Sequence, residues 1–174
     1  MMRFLVVACA LFAAACVPRG DAARCDLLAT HEVAFTAPDA TDTITAQTIG
    51  PSCDRAIGLY VIRDSQGFPI WSWSAPLTHR FGEVFGAEDT EHVQNFVDRW
   101  AQASLSTTQA APAFDALAQG ASTLDQLTYG DIRARDLPML CHYSGTGTEV
   151  CIFWEPAAGG AGLLLERDVV EEAQ

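Results

Sequence analysis

PMLCHYSGTGTEVCIFW, residues 138–154, decides the fold. Its two arms carry the side chains that strands favour, and Gly145-Thr146-Gly147 between them is a turn signal. Folding about Thr146 places Ser144 near Thr148, His142 near Val150 and Cys141 opposite Cys151. Directly opposed residues have Cβ atoms ~4.5–5.5 Å apart, close enough for a disulfide after modest adjustment. The stretch therefore predicts a hairpin stapled by Cys141–Cys151. Cys25–Cys53 follows by elimination and would tie the N-terminal segment to the domain. The rival reading, a metal or redox site, has neither CxxC nor zinc spacing and only His142 nearby. No metal and no cofactor are expected.

Working outward, residues 161–167 form a further strand after the turn-rich AAGGA. Upstream, AIGLYVIRD, a turn at Ser65-Gln66-Gly67, and FPIWSWSA form a second hairpin rich in β-branched and aromatic residues. EVAFTA and TITAQTI are short strand candidates separated by Pro38, Asp39 and Asp42. Between the strand groups lies DTEHVQNFVDRWAQAS, residues 89–104. Asp89 suits an N-cap, Glu91 suits the first turn, and Val93, Phe96, Val97, Trp100 and Ala101 recur on one helical face. Two shorter helices are expected, one starting at Pro112 and ending at Gly120, the other opened by a Ser122/Asp125 capping box. Strands, then helices, then strands predict an α+β domain. The expectation is a largely antiparallel sheet of five or six strands, with one main and two short helices on one face.

Composition narrows the function classes. The chain has 174 residues and a formal net charge of −12, with 22 acidic residues against 10 basic ones, all arginine. Such a surface disfavours nucleic acid, whose binding rests on Lys and Arg neutralising phosphates, and disfavours electrostatic docking to anionic membranes.

MMRFLVVACALFAAAC has the layout of a secretory leader: Arg3, then an apolar run from Phe4 to Ala15. The run is short of the ~20 residues that span a bilayer as a helix. Ala13-Ala14-Ala15-Cys16 resembles the lipobox of bacterial lipoproteins, with Ala13 where leucine is preferred. The resemblance implies cleavage before Cys16 and acylation of its thiol. Val17 after the cysteine implies sorting to the outer membrane, facing the periplasm. Cleavage after Ala22, giving a soluble periplasmic or secreted protein, is the alternative. The expected organisation is a signal peptide over 1–15, a lipidated tether over 16–24, a single domain over 25–170 and a frayed tail over 171–174.

Candidate site residues are few. Strand alternation puts Pro69, Trp71, Trp73 and Ala75 on one face. Trp71 and Trp73 there are either a stacking platform for a ligand or core. His79 and Arg80, with Glu83, form a loop set of the kind that binds substrates. His142 is either a tuned base or a hydrogen-bonded core residue. His92 lies near Glu88 and Asp89, as a capping cluster or a carboxylate–imidazole pair. No GxSxG is present, so no catalytic residue is nominated. Three functions compete: a non-catalytic envelope lipoprotein binding an envelope protein or small envelope component, a soluble binder or inhibitor of a basic protein, and a hydrolase with an unmarked His–carboxylate site.

Overall fold

The computed structural model describes residues 24–85 and 90–169, with Glu83 and Val84 described in backbone only. The expected leader, the Cys16 acylation site, most of the tether, the 171–174 tail and the Glu88, Asp89 and Glu83 side chains lie outside those residues. Eight strands and three α-helices run in the order β1 (Leu28–Val33), β2 (Asp42–Ile49), β3 (Ile57–Arg63), β4 (Pro69–Pro76), α1 (Leu77–Phe81), α2 (Thr90–Trp100), β5 (Ser104–Thr107), α3 (Gln126–Ala134), β6 (Pro138–Gly145), β7 (Thr148–Glu155) and β8 (Gly160–Asp168). The class is α+β and the pairing antiparallel throughout. The expected single sheet of five or six strands is corrected: there are two four-stranded sheets, ordered β1-β2-β3-β4 and β5-β6-β7-β8. Each is a sheet of sequence neighbours, with α1 and α2 between the two sheets and α3 in the connection from β5 to β6.

The strand pattern explains how the sheets meet. In β2 and β3 the alternate residues Ile44, Ala46, Tyr60 and Ile62 are buried, paired Ile44↔Ile62 and Ala46↔Tyr60. They share one core with Leu140, Val150 and Ile152 of the second sheet and with Val93, Val97 and Trp100 of α2. The helix lies over β1 and β2, while β3 and β4 face the second sheet. The second sheet is apolar on both faces. Its other face, with Met139, Cys141, Cys151 and Phe153, packs on Tyr129 and Ile132 of α3 in a separate core. The helices therefore do not share one face, as the sequence pattern suggested. A bulge between Cys151 and Ile152, where the partner register passes from Leu165 to Leu163, leaves Leu164 as the extra residue.

Local chemistry corrects several element boundaries. α2 ends at Trp100 rather than 104, because the chain must turn to lay Ser104–Thr107 beside β6. The expected Pro112–Gly120 helix is one 3-10 turn, Phe114–Ala116. In α3 the N-cap is Asp125, whose carboxylate accepts from the Leu127 and Thr128 N–H groups, while the Ser122 hydroxyl donates to the Leu164 carbonyl at 2.7 Å. LTHRF, expected as loop, is the short helix α1. β1 ends before Phe35, since the buried Asp42 carboxylate accepts the Phe35 and Thr36 N–H groups and shapes the β1–β2 turn.

Both disulfides form, Cys25–Cys53 and Cys141–Cys151, the second between directly opposed residues of β6 and β7. Gly58 on β3 marks the tightest approach of the helical layer to the first sheet. A Cβ there would lie 2.7 Å from Leu77 Cδ2 and 2.9 Å from the Trp100 ring, so only glycine lets that indole rest on the strand backbone. No helix among the described residues is long and apolar enough to cross a membrane.

Candidate functional site

Two residue pairs at helical spacing build a pocket. Phe81 closes α1 and Phe85 follows one turn later; Phe96 and Trp100 lie four apart on α2, on neighbouring positions of one face. Their rings interlock, Phe81–Phe96 and Phe85–Phe96 each at 4.9 Å and Phe81–Phe85 at 5.9 Å, all edge-to-face, the arrangement that the ring quadrupole favours. The third wall is the β6–β7 turn, Tyr143 with Gly145 to Gly147. Together they line an open pocket of about 420 Å³, within the size range of small-molecule sites. Arg99 and Gln102 stand at its polar side, and no carboxylate among the described residues lines it.

The walls are fixed by polar contacts. The Trp100 indole N–H donates to the Tyr143 carbonyl at 2.9 Å, joining α2 to the second sheet. The Thr146 N–H donates to the Arg80 carbonyl at 2.9 Å. The Arg80 guanidinium donates through Nε to the Ser144 carbonyl and through Nη2 to Glu166 Oε1, each at 2.7 Å. The Ser144 hydroxyl donates to the same Glu166 oxygen at 2.9 Å. Gly145 is required there, because a Cβ would stand 2.9 Å from the Arg80 carbonyl oxygen and 2.7 Å from Thr148 Oγ1. Arg80, nominated as a binding residue, thus clasps α1 to β6 and β8. His79 beside it is exposed.

Trp71 and Trp73 lie behind the pocket and face the second sheet. Trp73 meets Trp100 edge-on at 5.6 Å and Phe81 at 6.2 Å. The Trp71 indole N–H donates to His142 Nε2 at 3.2 Å. His142 Nδ1 lies 2.9 Å from the Tyr143 carbonyl, so the neutral Nδ1–H tautomer satisfies both contacts. The imidazole stacks on Tyr60 at 4.1 Å. Burial pulls its pKa down to about 4, against smaller upward pulls from the Tyr143 carbonyl and Glu166. A neutral ring with both nitrogens engaged is a structural hydrogen-bonding group rather than a free base.

Burial also raises the Tyr60 phenol above its ordinary range, and its hydroxyl is the buried polar side-chain atom without a partner among the described residues. Replacing Tyr60 by Phe should keep the stack on His142 and remove a desolvated hydroxyl. Urea unfolding should show equal or higher stability, by up to ~1–3 kcal/mol. A loss instead would reveal a bound water on that oxygen.

Cys141, Glu149 and Cys151 bring possible metal-ligating atoms within 4.8 Å of one another. The two sulfurs are joined to each other, so they present no thiolate, and the Glu149 carboxylate accepts from Arg167 at 2.7 Å.

The sequence did not single out Phe81, Phe85, Arg99 or Tyr143, and placed Phe96 and Trp100 in the core. The available signal was the repeated aromatic spacing of four, in FGEVF and again in FVDRW. Compared with known proteins, the chain matches no family model, no curated protein and no solved structure.

Proposed function

We propose that this chain is a non-catalytic cell-envelope lipoprotein, acylated at Cys16, whose domain faces the periplasm and takes a small envelope component into the aromatic pocket. The observation that supports binding is the pocket itself: about 420 Å³ walled by Phe81, Phe85, Phe96, Trp100 and Tyr143. The leader motif and two disulfides, which suit an oxidising compartment, support the location. A hydrolase has less support. Among the described residues both His142 nitrogens are engaged, and exposed His79 has no carboxylate partner.

Binding is tested with N-phenyl-1-naphthylamine, a neutral apolar fluorophore. One saturable site is expected, lost in Thr146→Trp, which places a ring at the exposed rim and keeps the Thr146 backbone contact to Arg80. Absence of saturable binding would remove the pocket from the function. Anchoring is tested by intact mass of the mature protein from its membrane fraction, with and without reduction. The expected species starts at Cys16, carries acyl mass and gains about four hydrogens when two disulfides are reduced. An unacylated chain starting at Ala23 would shift the conclusion to a soluble binder of a basic protein, which the net charge of −12 favours.

A further inference from the structure

We infer that the occupant of the aromatic pocket is a small apolar monocarboxylate, its body against the rings and its carboxylate on Arg99. This rests on the binding reading above. The charge pattern carries it. In a chain of 22 acidic residues, the pocket wall among the described residues holds one charged side chain, Arg99, and no acid. Arg99 Nε donates to the Asn95 carbonyl at 3.2 Å. The guanidinium forms no ion pair among the described residues. Its two terminal nitrogens are thus left as an end-on fork, the geometry that matches one carboxylate with two parallel hydrogen bonds.

The neighbouring carboxylate turns to its own helix. Asp98, next in the chain, accepts from Gln94 at 2.8 Å. Exposed charges farther than ~8 Å are largely screened at physiological salt, so the guanidinium on the pocket wall sets the local preference. A single carboxylate balances a single guanidinium, whereas a phosphate monoester would leave excess charge against the aromatic wall. The cavity holds one drug-sized body, not the two chains of a phospholipid, which favours a free acid over a membrane headgroup.

The test displaces N-phenyl-1-naphthylamine from the full mature protein near neutral pH. The competitors are dodecanoate and dodecyltrimethylammonium, each below its micelle threshold, and phosphatidylglycerol vesicles. Dodecanoate should displace the probe at least about tenfold more effectively than the cation. Arg99→Gln should weaken dodecanoate about tenfold relative to the variant's own probe affinity, with Arg99→Lys in between. Equal displacement by acid and cation, or an Arg99→Gln protein that still discriminates them, would overturn the carboxylate assignment while leaving the pocket a binding site. Displacement by vesicles but not by dodecanoate would overturn it in favour of a membrane contact. Failure of the probe itself to bind would overturn both this assignment and the binding reading.

Discussion

Replacing Trp100 by alanine should destabilise the domain by ~3–5 kcal/mol, the cost of emptying a buried aromatic site. The indole is 1% exposed and sits where three layers converge. It rests on the Gly58 backbone, meets Tyr60, Trp73, Phe81 and Phe96 at 5.4–5.8 Å, and donates to Tyr143 on β6. Natural domains have ~5–15 kcal/mol in total, so the variant should stand close to unfolding at 25 °C. Trp100→Phe retains much of the packing and removes one of the two donors to the Tyr143 carbonyl, and should cost only ~1–2 kcal/mol. Guanidinium unfolding of both proteins checks the order. A Trp100→Ala loss below about 1 kcal/mol would show that α2 is not held by this side chain.

Acidification should produce the second large effect. His142 has an ordinary value of 6.5 and is held at about 4 in the folded protein, so between those values the unfolded chain binds a proton that the folded chain does not. Its contribution is fully present above 6.5, falls as the pH drops through that window and levels off below about 4. The total loss amounts to ~3 kcal/mol. Protonation would also aim an Nε2–H at the Trp71 N–H, turning a hydrogen bond into a clash of donors. The groups packed on the ring are neutral Tyr60, Trp71 and Trp73, with the Glu166 charge a minor upward influence. The check is the unfolding free energy at pH 7 and pH 4 for wild type and His142→Gln. The variant should lack most of the histidine's share of the slope. Identical slopes, or an imidazole titrating near 6.5 by NMR in the folded protein, would refute the assignment.

Much of the local structure was legible. Cys141 opposite Cys151 followed from a glycine-flanked turn at the midpoint of two strand-like arms, and the β3–β4 hairpin from Ser65-Gln66-Gly67. The face of α2 followed from Val93, Phe96, Val97 and Trp100. Each depends on neighbours within a dozen residues. The division into two sheets was not legible, because Leu140 and Met139 look alike as apolar strand residues although one faces the first sheet and the other faces α3. β5 was hidden for a related reason: Ala101 and Ala103 continue the helical pattern, and only pairing with β6 makes Ser104–Thr107 a strand. The pocket was least legible. Its walls come from residues 81–85, 96–100 and 143–147, brought together by the Arg80 clasp and the Trp100–Tyr143 bond, and an alternating or helical period carries no information about such long-range contacts.

Each of the two disulfides closes within the stretch of chain that builds one sheet, and among the four cysteines of the described residues each is joined to the next along the chain. Pairing between nearest successors has a consequence for biogenesis. In a chain threaded N-terminus first into an oxidising compartment, Cys25 meets Cys53 while Cys141 and Cys151 have yet to emerge. An oxidase acting in order of arrival therefore makes the native bonds directly, and this protein should mature in cells that lack a disulfide isomerase.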